Sequence, residues 1–155
     1  MEIGSWTIYG YDTYWRSYLK FDQSQIPSGS TIISATLYLF AMPTPHAGYV
    51  AKAHSGSANL FYVERITGSW NPTSLAWSNL PVSTASNHVS VPQSTSSFEN
   101  SIINVTAIVS DMQTSGNYGF AFLLQNETNI YNFRTYASST YSDVTLHPKL
   151  VITYQ

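Results

Sequence analysis

Short runs in which apolar and polar residues alternate, each closed by turn-forming residues, recur along the whole chain and point to strands rather than helices. Arg16–Asp22 is the first strong run: Ser17, Leu19 and Phe21 share one face, and Arg16, Tyr18 and Lys20 the other. Pro27-Ser28-Gly29-Ser30 turns the chain into a longer strand over Thr31–Ala41, with Ile33, Ala35, Leu37 and Leu39 inward. Residues 42–58 read as a loop containing Pro43, Pro45, Gly48 and Gly56. Strands follow at Leu60–Ile66, Tyr118–Gln125, Tyr131–Ala137 and Leu150–Tyr154, while Val82–Ser97 shows one short strand near Val89 and Val91. One segment has a different period. Val105, Ile108, Val109 and Met112 fall at i, i+3, i+4 and i+7 behind a capping Asn104, which predicts a short helix ended by Gly116-Asn117. The spacing predicts an all-β, antiparallel sandwich with one short helix. With no repeat and no internal boundary, residues 1–155 read as a single domain.

A chain rich in Ser (23), Thr (16) and Asn (10) could instead be disordered, but 43% hydrophobic and 15% aromatic residues exclude that. Only six Lys or Arg stand against eight Asp or Glu. Phosphate contacts need clustered cations, so a nucleic-acid partner is excluded, as is a polybasic membrane patch. No apolar run is long enough for membrane insertion. With no cysteine, disulfides, thiolate chemistry and Cys-ligated zinc drop out. Met1 to Ser5 shows neither a basic nor an apolar leader region. Either a leader and upstream domains were removed, or none was used, as suits a virion protein assembled inside a host cell.

Four segments, in order, carry a resemblance. RSYLKFDQSQIPSGSTIISATLYLFA (16–41), WNPTSLAWSNLP (70–81) with its Trp-x(6)-Trp-x-x-x-Pro spacing, NVTAIVSDMQTSGNYGFAFLL (104–124) and HPKLVITY (147–154) together resemble the DNRLRE-type domain. That family is also classed as a carbohydrate-binding module related to the disaggregatase repeats. The resemblance implies a jelly-roll-like β-sandwich acting as a non-catalytic module of surface proteins. It gives Leu19, Phe21, Trp70, Trp77, Pro81 and Pro148 framework roles; Trp70 and Trp77, which bracket the turn Asn71-Pro72-Thr73, could also stack on sugars, but large aromatics more often pack in or beside a core. Asn104 stands where the family has Asp, and Met112 where an aromatic is common. The family also has a strand upstream of the Trp6–Tyr9 equivalent, and here only Met1 to Ser5 precede it. A bare sheet edge there would call for a second copy or a neighbouring domain to cover it.

The candidate ligand-binding residues are Trp6, Tyr9, Tyr11, Tyr14, Arg16 and Tyr136. Six aromatics (Trp6, Tyr9, Tyr11, Tyr14, Trp15 and Tyr18) crowd thirteen positions, more than one core needs; flat amphipathic rings left outside suit polysaccharides or protein contacts. Tyr131, Tyr136 and Tyr141 form a second group, which cross-strand pairing explains equally well. Arg16, Lys20, Arg65 and Arg134 suit an acidic glycan, although Arg16 can equally pair with Asp22 or Glu64. His46, His54, His88 and His147 read as surface residues in loops or just before the last strand. Neither they nor the scattered Asp12, Asp111 and Asp143 have metal-ligand spacing. No metal or cofactor is expected; a structural calcium on backbone carbonyls stays open without being indicated. No nucleophile elbow or phosphate loop is present, so the chain is not read as an enzyme. The sequons at Asn104 and Asn126 have no meaning in a bacterial or phage protein.

Two functions follow. The first is a glycan-binding or adhesive module that meets a polysaccharide or cell-surface glycan, extracellular or at the cell surface. The second is a structural subunit of a filament or virion, its open edge completed by a neighbour.

Overall fold

The computed structural model describes residues 1–43 and 52–155. The loop positions Pro45, His46 and Gly48 lie outside the described residues. In chain order the strands are β1 (Glu2–Ile8), β2 (Tyr11–Trp15), β3 (Ser17–Leu19), β4 (Ile32–Leu39), β5 (His54–Ser55), β6 (Phe61–Ile66), β7 (Ser83–Val91) and β8 (Ser101–Asn104). Helix α1 (Thr106–Ser115) follows, then β9 (Phe120–Leu124), β10 (Asn132–Thr135) and β11 (Lys149–Tyr154). They form three antiparallel sheets of order β2-β1-β10-β5, β11-β4-β8 and β3-β9-β6-β7. This is the expected all-β sandwich with one short helix.

The sheets share strands at their corners. β2 and β3 are nearly one strand: its first half pairs with β1 and its second half with β9. At the handover the Ser17 hydroxyl replaces the ladder, donating to Glu2 O (2.7 Å) and accepting from Glu2 N–H (2.9 Å). A bridge between Ala41 and Tyr136 joins the first sheet to the end of β4. Leu37, Leu39, Ile103, Phe61, Val63, Phe120 and Phe122 form the apolar interior, with Ile108, Val109 and Met112 of α1 closing it. The Asn104 carboxamide accepts from Thr106 N–H (3.0 Å) and Oγ1 (2.7 Å), one residue ahead of the first turn. Gly116, at φ +91°, stops the helix by donating to Met112 O.

Three expectations need correction. Ile33 is exposed and Ile32 buried, because a bulge opposite Thr153 and Tyr154 shifts the register and reverses the alternation there. The strand near Val89 is nine residues long and starts at Ser83. Its Ser/Thr/Asn composition suits an edge strand with solvent on one side. No missing strand leaves β1 bare. It begins at Glu2 and runs between β2 and β10, so the edge that was to recruit a neighbour is already paired.

β1 and β2 are joined by Tyr9-Gly10 alone, both at positive φ (51° and 82°), the two-residue turn that matches the twist of a hairpin. Gly4 lies opposite Phe133 in β10, and a Cβ there would stand 2.7 Å from the Phe133 Cβ.

Candidate functional site

Residues directly opposite in a ladder share a face, so the register of β1, β2 and β10 sorts the aromatic cluster into two groups. Trp6 is opposite Thr13, Ile8 opposite Tyr11, and Gly4 opposite both Trp15 and Phe133. Trp6, Tyr11, Trp15 and Phe133 therefore stand on one face of the sheet. Trp6 packs edge-on against Phe133 (5.6 Å between centroids) and Tyr131 (4.9 Å), which locks the indole in place. Tyr9 and Tyr11, at and beside the hairpin tip, are 94% and 77% exposed, and Tyr131 is also exposed. Where the face reaches Glu2 and Trp15 it opens into a shallow cleft of about 360 Å³, with Met42, Ser138 and Tyr141 on its rim. The sheet thus presents rings of fixed orientation beside a cleft with hydroxyl and carboxylate groups.

The even-numbered residues of β2 face the other way. Tyr14 stacks on Trp77 (6.4 Å, 29° between planes). The Arg16 guanidinium also lies over the Trp77 ring, at 5.2 Å. Its own position is fixed by two bonds to the Glu127 carboxylate, 2.7 and 2.6 Å, rather than to Asp22 or Glu64. Those bonds hold the guanidinium pKa above its ordinary value, against the opposing effect of burial. Tyr18, next along this face, tilts against Trp70 (5.9 Å), and burial pushes its phenol pKa up.

Tyr136 belongs to neither group and is not a surface ring. It is 0% exposed, and its hydroxyl bonds to Ser101 Oγ (2.6 Å) and accepts from Arg134 Nε (2.9 Å). Arg134, offered as a glycan contact, is 1% exposed. Among the described residues its guanidinium reaches only neutral acceptors (Tyr136 Oη, Ser101 Oγ, Asn59 Oδ1 and Pro92 O) and lies over the Phe61 and Tyr136 rings. The reason is its place in β10: Arg134 is opposite Ile3 and His54, on the face turned into the sandwich. His54 is likewise buried (2% exposed) rather than a surface residue. Its Nδ1 accepts from Thr135 N–H (3.4 Å), which leaves Nε2–H to donate to Glu99 O (2.7 Å). Burial first, and the Arg134 charge with it, lowers the imidazole pKa.

Of the remaining cations considered for a glycan, Arg65 approaches Asp111 (3.8 Å) and Lys20 is exposed. Among the framework residues, Leu19 is buried and Phe21 packs edge-on against Phe120. Trp70 is half-buried and donates its indole N–H to Tyr118 O (2.7 Å). Pro81 and Pro148 are half-buried just ahead of β7 and β11. Trp77 does not fit a framework role: it is 58% exposed. The Trp-Trp spacing alone treats both rings alike, and only the fold separates them. Phe133 was also missed, because its place beside Trp6 depends on which strand pairs with which. Among the described residues no group of three or more His, Asp or Glu side chains could hold a metal ion, and no helix is long and apolar enough to cross a membrane.

The sequence profile of carbohydrate-binding module family 96 matches residues 4–154. No curated protein matches the chain.

Proposed function

The chain belongs to carbohydrate-binding module family 96, and from that membership we propose that residues 1–155 act as one non-catalytic glycan-binding domain, working outside or on the surface of a cell. The DNRLRE-type relationship is part of the same reading. The stacking platform is the β1–β2 face with Trp6, Tyr11 and Trp15, extended by Phe133 and by Tyr9 at the hairpin tip. What supports it most is the locking of Trp6 between Tyr131 and Phe133. A ring already fixed in its bound orientation gives up little freedom when a pyranose stacks on it. The adjoining cleft supplies hydroxyl and carboxylate partners for the ring's substituents.

The test is binding to a panel of neutral and acidic polysaccharides by affinity electrophoresis and calorimetry. Trp6→Ala and Tyr11→Ala are each expected to weaken binding about tenfold or more, as loss of a central aromatic contact does elsewhere, without a change in circular dichroism. Both variants binding as tightly as wild type would refute the platform.

A further inference from the structure

We infer that Trp77 is a second saccharide-stacking subsite, on the opposite face of β2 from the Trp6 platform and suited to an uncharged sugar residue. The inference rests on the glycan-binding reading and adds to it a place and a ligand class.

Three observations on the Trp70–Pro81 loop carry it. First, Trp77 is held from within the protein yet left open. The Tyr14 ring and the Arg16 guanidinium lie against it, Glu127 fixes the guanidinium by two bonds, and more than half of the side chain remains exposed. Its indole N–H has no hydrogen-bond partner among the described residues, whereas Trp70 spends its own on Tyr118 O. A free donor on an indole that is 58% exposed suits a hydroxylated ring with one apolar side.

Second, the loop is built to hold that ring still. Asn71 Oδ1 accepts from Thr73 N–H (3.0 Å) and Oγ1 (2.8 Å). Asn79 Oδ1 accepts from Ala76 N–H (2.6 Å), and its Nδ2 donates to Ser74 O (2.8 Å). The two Asn79 bonds tie the short helical turn Trp77–Asn79 to the residues just before it. Binding residues are often carried on loops that a rigid scaffold positions.

Third, the surroundings are neutral. Residues 67–82 contain no charged side chain. A shallow cleft of about 580 Å³ in the same loop, beside Trp70 rather than Trp77, is likewise lined without any charged side chain. The nearest cation, Arg16, is already neutralised by Glu127. A carboxylated sugar would find no free counter-charge here, whereas a neutral one needs none. β2 is the outermost strand of its sheet, so a long glycan can pass over its edge and reach both faces. Two linked contacts on one ligand then strengthen each other by raising the effective concentration at the second.

The test compares wild type, Trp77→Ala, Trp77→Phe and Trp6→Ala against a soluble neutral β-glucan and a polyuronate. Trp77→Ala is expected to keep the wild-type melting temperature within a few degrees and to lose about tenfold or more in affinity for the neutral polymer, with the polyuronate unaffected by the change. Trp77→Phe should recover part of the loss. Wild type should show a ligand-induced change in tryptophan emission that Trp77→Ala reduces. If Trp6→Ala loses binding and Trp77→Ala does not, the second subsite is overturned and the first platform stands. The reverse pattern supports Trp77 and overturns the Trp6 platform. An equal loss for both polymers overturns the preference for an uncharged sugar. If wild type binds neither polymer, both readings fall.

Discussion

Replacing Tyr136 by Phe removes one oxygen atom from the interior and keeps the ring. That oxygen is the acceptor for Arg134 Nε and the partner of Ser101 Oγ. Ser101 still has Arg134 Nη2 at 3.1 Å, so the main loss falls on the buried guanidinium Nε–H. Leaving a buried donor unsatisfied costs about 1–3 kcal/mol, toward the upper end when the group is charged. We expect a loss of about 2–3 kcal/mol, and, at 2–4 °C per kcal/mol for a domain of this size, a fall in melting temperature of about 4–12 °C. The assay is urea denaturation of Tyr136→Phe alone and in an Arg134→Met background. With the guanidinium gone, the same substitution should cost below about 1 kcal/mol, since only the Ser101 contact remains to lose. Polysaccharide binding should be unchanged, because the ring is out of reach of any ligand. Equal costs in the two backgrounds would refute the coupling, and lost binding with an intact fold would refute the burial argument itself.

Two further outcomes are expected. Gly4→Ala should cost about 1–3 kcal/mol, as overpacking does, because the new methyl would stand 2.7 Å from the Phe133 Cβ across the ladder; thermal unfolding measures it, and an unchanged midpoint would show that β10 yields freely. His54 should make stability fall on mild acidification. Above about pH 6.5 its ring is neutral in both states; below that the unfolded chain takes up a proton that the buried ring resists, so stability drops until pH passes the lowered folded-state value. Denaturation at pH 7.5 and pH 5 should show the loss in wild type and a smaller one in His54→Gln.

Periodicity reaches as far as local geometry does. The runs around Leu37 and Val63 alternate because one side is buried, and α1 shows its 3.6-residue stripe for the same reason. What it cannot give is partner identity. Tyr136 and Arg134 look like surface residues by composition, and become interior only because Ser101, Asn59 and Pro92 converge from distant segments to accept their polar atoms. Trp70 and Trp77 are indistinguishable by type and differ through Tyr118 O, which one indole reaches and the other does not. The β1–β2 hairpin did leave a local sign, Tyr9-Gly10 between β-forming residues, but a tyrosine at positive φ is an unusual turn residue and obscured it.

The central position of β1 has a kinetic side. On one flank it meets β2 through a two-residue turn, a contact that can form within microseconds once those residues exist. On the other it waits for β10, about 130 positions later, just as β4 waits for β11 at the far end of the chain. Such separations place the domain among slow, high-contact-order folders. On a ribosome the first hairpin would stand with one side unpaired until β10 had emerged, and Ile3, fully buried in the folded domain, would be exposed through that interval. The stage most vulnerable to aggregation is therefore synthesis itself, and slower elongation would lengthen it.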